Sequence, residues 1–197
     1  AYSSGTPAIG VGAGNVTVIV DETADLDAAA IKIMKSKTFD YATSCSSENA
    51  LVLVDQIYDT FVDKLVDCGG RLLDEQEKQI LQDSLWVNGK LNRQMLARDA
   101  EILCQMANLK SNDSTETKFL MVEESGVGSD YPFSGEKLSP VLSVYRASDF
   151  DDAQQTALNI LRNNLPLLES ISQKILKEEV IEGEDLKNLL AETKLPA

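Results

Sequence analysis

Residues 16–54 run VTVIVDETADLDAAAIKIMKSKTFDYATSCSSENALVLV, and this stretch decides the fold. Val16 to Val20 is a short β-branched run, the pattern of a buried strand. Asp21 to Asp25 supplies turn and cap residues. The spacing of Leu26, Ala29, Ile33 and Met34 then predicts a helix to about Lys35 with one buried face. Thr38 to Glu48 is dense in small hydroxyl residues, and Ala50 to Val54 reads as a second apolar strand. A strand, a helix and a strand in succession point to α/β architecture.

The pattern continues on the C-terminal side. Ile57, Phe61, Leu65 and Cys68 recur at helical spacing and stop at Gly69-Gly70, a C-terminal signal. Asp74-Glu75-Gln76-Glu77 resembles a capping box and opens a helix to about Leu85. Asn88-Gly89 marks a turn, and Leu91 to Ala107 is predicted to be helical, with Met95, Ile102, Leu103 and Met106 in the core. Phe119 to Val122 and Val141 to Tyr145 are further strands, with a Gly/Ser/Pro loop over residues 125–135 between them. The expected fold is therefore α/β, a mostly parallel sheet flanked by helices over residues 1–155. From Phe150 the chain is almost continuously helix-forming, broken at Asn163-Asn164 and Pro166. Residues 156–197 are expected to form a helical tail folded as a hairpin.

Composition narrows the function. The chain of 197 residues is 43% hydrophobic and 25% charged, as expected of a soluble globular protein long enough to bury a core. A net charge of −14 repels phosphate backbones and anionic headgroups, so neither nucleic acid nor a membrane surface is an expected partner. No apolar run approaches the roughly 18 residues that span a bilayer. The start, Ala1-Tyr2-Ser3 without a methionine, reads as that of a fragment or a processed chain. Three scattered cysteines suit reduced thiols in a cytoplasm, stroma or matrix better than a disulfide scaffold. The absence of histidine excludes Ser-His-Asp and Cys-His catalysis and the common His-containing zinc sites, and no metal site is expected.

Any nucleophilic cysteine here must therefore be activated by backbone donors, a helix terminus or a cofactor. Cys45 is the candidate, because it lies between a helix and a strand among small residues that let backbone amides approach a substrate. Main-chain N–H groups there could stabilise both a thiolate and an oxyanion. The alternative is a small buried thiol. Cys68 and Cys104 lie on apolar helical faces and read as core.

Two segments carry a resemblance. Gly10-Val-Gly-Ala-Gly-Asn-Val-Thr-Val-Ile-Val-Asp-Glu-Thr-Ala-Asp25 is followed by Ser36-Lys-Thr-Phe-Asp-Tyr-Ala-Thr-Ser-Cys-Ser-Ser-Glu48. Together they resemble the CoA-acylating branch of the aldehyde dehydrogenase superfamily. The likeness continues through Phe119-Leu-Met-Val-Glu-Glu124 and Pro132-Phe-Ser-Gly-Glu-Lys-Leu-Ser-Pro-Val141. It implies that Cys45 is the thiol that attacks an aldehyde carbonyl, with its own backbone N–H as one oxyanion donor. It implies hydride transfer to NAD(P)+ and passage of the acyl group to coenzyme A, with a small aldehyde, sulfoacetaldehyde included, as substrate. Glu136 matches the family glutamate that binds the nicotinamide ribose hydroxyls.

Hydrolytic members carry a water-activating glutamate in a Glu-Leu-Gly-Gly motif, whereas Gly10 to Asn15 holds no acidic residue. A thiol acceptor is the expectation that follows. Tyr41 stands where related enzymes usually have Asn. The Gly10–Gly14 run is not expected to be a dinucleotide fingerprint, since no βαβ unit surrounds it, and these residues are expected to lack the N-terminal Rossmann-like cofactor domain that the resemblance implies. NAD(P) and coenzyme A are thus not expected to bind to this chain alone, and a protein partner or a homo-oligomer is. Residues 163–186 are similar to the C-terminal helices of FtsH-type AAA+ zinc proteases, without a His-Glu-x-x-His motif. The alternative to an enzyme is a non-catalytic structural or assembly subunit built on the same fold.

Overall fold

The computed structural model of the chain describes residues 14–110 and 116–162, together with residues 172, 173, 176 and 177. Most of the glycine-rich start and most of the expected hairpin, with its protease likeness, lie outside the described residues. Five parallel strands form one sheet: β1 Val16–Val20, β2 Glu48–Val54, β3 Gly70–Leu72, β6 Phe119–Glu123 and β7 Val141–Ala147. Their spatial order is β1-β2-β7-β6-β3, so β7 is inserted between β2 and β6. The helices are α1 Leu26–Thr38, α2 Asp55–Asp67, α3 Glu75–Leu85, α4 Ala100–Met106 and α5 Phe150–Arg162.

The apolar runs found in the sequence become strands, central for β2, β6 and β7, while β1 takes the sheet edge and buries only Val20. Leu51, Val52 and Leu53 of β2 are fully buried, as expected of a strand covered on both faces. β6 sends Phe119 and Met121 into one hydrophobic cluster and Leu120 and Val122 into a second, the period of two characteristic of a strand. α5 lays Ala153, Ala157 and Ile160 into the first cluster, against β1, β2 and β7. Asp25 caps α1 through a bond from Ala28 N, and Asp74 caps α3 through one from Glu77 N.

Three sequence readings differ from the structure. Residues Leu91 to Ala107 are not one helix. Trp86–Val87 (β4) and Lys90–Leu91 (β5) form a hairpin around Asn88 and Gly89, whose φ values of 53° and 73° are those of a tight two-residue turn. The helical pattern then fails because Asn92 bonds locally, taking Gln94 N on its side chain and donating to Ser84 O. Only Ala100–Met106 is helical. Met95 and Leu103 are buried as expected, Ile102 is half-buried, and Met106 at the end of this short helix is 39% exposed.

The second difference is β3, concealed behind the Gly69-Gly70 helix stop. Gly69 does end α2, with φ +98°, but Gly70 already pairs with Phe119. The third is α1, which runs three residues past Lys35, to Thr38. Lys37 therefore lies on its buried side, at 1% exposure.

Candidate active site

Because β1, β2 and β7 are adjacent and parallel, the segments that lead into them meet at the amino edge of the sheet. These are Gly14-Asn15 before β1, Thr43 to Ser47 before β2, and Glu136 to Pro140 before β7. Ligands on open α/β sheets usually collect at the opposite, carboxyl edge. Both sequence-predicted site residues, Cys45 and Glu136, lie at the amino edge.

Gly14 is the point of convergence. A Cβ placed on it would lie 3.7 Å from Glu136 Oε1 and 3.9 Å from Cys45 O, so the carboxylate and the cysteine backbone are neighbours across a residue with no side chain. Asn15 ties the start of β1 to the turn before Glu136 by donating from Nδ2 to Ser134 O at 2.8 Å. Its Oδ1, together with Ser47 Oγ, Glu48 Oε2 and Ser139 Oγ, is buried without a hydrogen-bond partner among the described residues.

The Cys45 turn is built on strained backbone. Asp40, Tyr41 and Ala42 all have left-handed φ, at 48°, 54° and 58°, in a run without glycine. Such residues cost about 1–2 kcal/mol each relative to right-handed backbone and gather at functional sites. Thr43 holds the turn, since its hydroxyl bonds Asp40 O at 2.7 Å and Asp40 Oδ2 at 2.8 Å, and its N–H bonds Asp40 O at 3.0 Å. Ser47 N–H returns to Ser44 O at 3.0 Å and closes the loop over Cys45. The Cys45 residue is exposed, and its backbone N–H has no acceptor among the described residues, so both are available to a substrate. Cys104 is buried and Cys68 half-buried, consistent with packing.

Sequence reasoning missed two lysines beneath the turn. Lys37 Nζ donates to Glu48 O at 2.8 Å, and burial pushes its ammonium down to about 7 against the opposing pull of Glu48. Lys137, fully buried, is driven well below the usual lysine range by burial first and by the nearby Lys37 charge second. The signal for Lys37 was present as a lysine in register with Ala30 and Ile33 on the buried face of α1.

Two cavities flank the sheet edges. One of about 540 Å3 opens beside the turn, lined by Thr38, Tyr41, Lys118, Pro140 and the start of α4. The other, about 390 Å3, lies at the carboxyl ends of β6 and β7 among Tyr58, Lys78, Glu123, Glu124 and Arg146. Most of its polar groups are already engaged: Lys78 pairs with Glu124, Tyr58 bonds Glu123, and Arg146 covers the Tyr58 ring at 3.8 Å while pairing with Asp55 and Asp59. The amino edge is therefore the better candidate for chemistry. The half-buried Glu136 carboxylate has no hydrogen-bond partner among the described residues and is free to accept two hydroxyls, which fits a ribose.

The model described as "Aldehyde dehydrogenase family" matches residues 6–160. Sulfoacetaldehyde dehydrogenase (acylating) of Cupriavidus necator is 51% identical over 160 residues, which are 81% of this chain and 32% of that protein. A protein of the same description from Bilophila wadsworthia is 40% identical over 195 residues, 95% of this chain and 41% of that one, so this likeness extends past residue 160. The chain thus spans a third to two fifths of the length of these relatives.

Among solved structures, an acetylating aldehyde dehydrogenase from Geobacillus thermoglucosidasius is similar with a TM-score of 0.75 and 40% identity, over 82% of this chain and 35% of that one. A propionaldehyde dehydrogenase from Rhodopseudomonas palustris, solved with bound CoA and an acylated cysteine, is similar with a TM-score of 0.69 and 28% identity, over 83% of this chain and 37% of that one. The parallel sheet, the cysteine turn at its amino edge and a family match over most of the chain lead to one conclusion: this chain belongs to the aldehyde dehydrogenase family.

Proposed function

We propose that this chain carries the nucleophile of a CoA-acylating aldehyde dehydrogenase acting on a small aldehyde, sulfoacetaldehyde in the first instance. The observation that supports it best is the exposed Cys45 on a turn that shares Gly14 with the Glu136 carboxylate. The Cys45 thiolate adds to the aldehyde carbon, forming a C–S bond while the carbonyl oxygen takes the electron pair. The unpartnered Cys45 N–H stabilises that oxyanion. NAD(P)+ and coenzyme A, when bound, would supply the hydride acceptor and the acyl acceptor for the group held on Cys45. Glu136 would hold the nicotinamide cofactor by accepting its ribose hydroxyls.

The sulfonated substrate is suggested by the relatives' names, and the thiol acceptor by their description as acylating. The R. palustris structure, with CoA and an acylated cysteine, supports the same transfer. The remainder of the cofactor site would come from sequence that the longer relatives have and this chain does not span.

The test uses the transfer step alone, run from thioester to cysteine. Chain incubated with acetyl-CoA should acquire one acetyl group on Cys45, located by peptide mass spectrometry, and should release an equivalent of CoA. Cys45→Ala should acquire none. Acetylation absent from Cys45, or spread over Cys68 and Cys104, would sink the reading.

A further inference from the structure

Lys37 and Lys137 are sealed from solvent at 1% and 0% exposure, and neither forms an ion pair with a carboxylate among the described residues. A buried ammonium is costly unless its three N–H groups find acceptors. Lys137 Nζ finds four oxygens: Phe133 O at 2.7 Å, Gly135 O at 2.9 Å, Asn49 O at 3.0 Å and Ser143 Oγ at 3.3 Å. Ser143 Oγ itself donates to Phe133 O, so its lone pairs are left facing the ammonium. The Lys137 backbone N–H also donates to Asn49 Oδ1 at 3.3 Å.

These partners belong to two different functional segments. Phe133 and Gly135 form the turn that leads into Glu136, while Asn49 is the second residue of β2, the strand that follows Cys45. Lys37 fixes the adjoining carbonyl, that of Glu48. An apolar side chain at 137 would avoid burying a charge but would leave these buried oxygens without that donor, so what the lysine contributes is the link between the segments that carry them.

We propose that Lys137 is the positioning residue of the site: its ammonium clamps the cysteine segment to the Glu136 turn and sets their separation, with Lys37 securing the cysteine side only. The proposal rests on the reading of Cys45 and Glu136 as the reacting and cofactor-holding groups. Lys137 touches neither the aldehyde nor the cofactor.

Amide hydrogen exchange on the whole chain tests the clamp independently of activity. Lys137→Met should speed exchange of Ser47, on the cysteine side, and of Ser134 and Gly135, on the other, by about tenfold together while β6 is unchanged. Lys37→Met should speed Ser47 alone. Val144→Ala, a packing defect in the same strand region, is the comparator and should loosen β2 and β7 evenly. Loosening of one segment only in Lys137→Met, or an even pattern like the comparator's, overturns the proposal.

The chemical readout is the ratio of two reactions of Cys45. Acetyl transfer from acetyl-CoA should fall about tenfold in Lys137→Met, while alkylation by iodoacetamide, which needs only an accessible thiol, stays within about twofold. An unchanged ratio overturns the proposal. If the unaltered chain takes no acetyl group, the functional reading falls and the exchange pattern still decides the clamp. Should Lys137→Met not fold, Ser143→Ala removes one ammonium acceptor, and it must speed Ser134 and Gly135 by a few-fold with β6 unchanged; no local effect there counts against the clamp.

Discussion

Lys37 Nζ donates to the carbonyl oxygen of Glu48 at 2.8 Å from a side chain that is 1% exposed, three residues beyond Cys45. Burial lowers this ammonium to about 7, whereas in the unfolded chain it titrates near the ordinary lysine value. Between those two values the unfolded chain binds a proton that the folded chain does not. Stability therefore rises with pH through this window, by at most about 1.4 kcal/mol per unit from this group, and is flat below it. Urea unfolding at pH 7 and pH 9 should show the native chain gaining stability relative to Lys37→Met. Equal pH dependence of the two proteins would refute the assignment.

The left-handed run at Asp40, Tyr41 and Ala42 yields a second expectation. Asn tolerates this backbone region far better than Tyr, and glycine enters it freely. Tyr41 is thus strained where Asn would be less so. Tyr41→Asn and Ala42→Gly should each stabilise the chain by about 0.5–1 kcal/mol in urea titrations, and neither should slow alkylation of Cys45.

Thiol reactivity should follow exposure. Iodoacetamide at limiting amounts should label Cys45 first, Cys68 more slowly and Cys104 last. Burial raises the Cys104 thiol, although Arg71 Nη1 at 3.7 Å opposes it. Peptide mapping reads the order directly, and early labelling of Cys104 would contradict its packing.

Gly70 starts β3 beneath an aromatic ring. An added Cβ would meet Phe119 Cζ at 2.7 Å and the Leu65 carbonyl oxygen at 2.8 Å, and the backbone oxygen cannot swing away. Gly70→Ala should destabilise by about 1–3 kcal/mol, seen as a lower urea midpoint with an unchanged slope.

The sequence disclosed those parts of the molecule whose signals are local. Val16–Val20, Ala50–Val54 and Val141–Tyr145 are dense apolar runs, and each became a strand; β2 and β7 are buried on both faces, whereas β1, at the sheet edge, is half-buried except at Val20. Asp74 announced its helix through cap chemistry, and Asp25 did so together with the apolar spacing that follows it. The hairpin of Trp86–Leu91 was hidden because its arms are two residues long, too short for any periodicity. At the site, Cys45 was visible from its small neighbours and its family motif. Lys137 was not, since its four oxygen partners come from positions 49, 133, 135 and 143, and three of these are backbone atoms without a sequence signature. The run of left-handed residues was equally silent, because Asp-Tyr-Ala carries no glycine to mark it.

The strand order also bears on how the molecule is made. β2 and β3 lie only sixteen residues apart along the chain, yet β7 and β6 separate them in the sheet. A nascent chain that has just emitted Cys45 has no lasting neighbour for one side of its central strand until Val141–Ala147 emerges, nearly a hundred residues later. Pairings of such long range form slowly and leave apolar strand edges uncovered in the interval. The Cys45 turn therefore takes its final shape among the last parts of the sheet, and a ribosome-bound chain stopped short of β7 should expose Leu51, Val52 and Leu53 to chaperones rather than hold a finished turn.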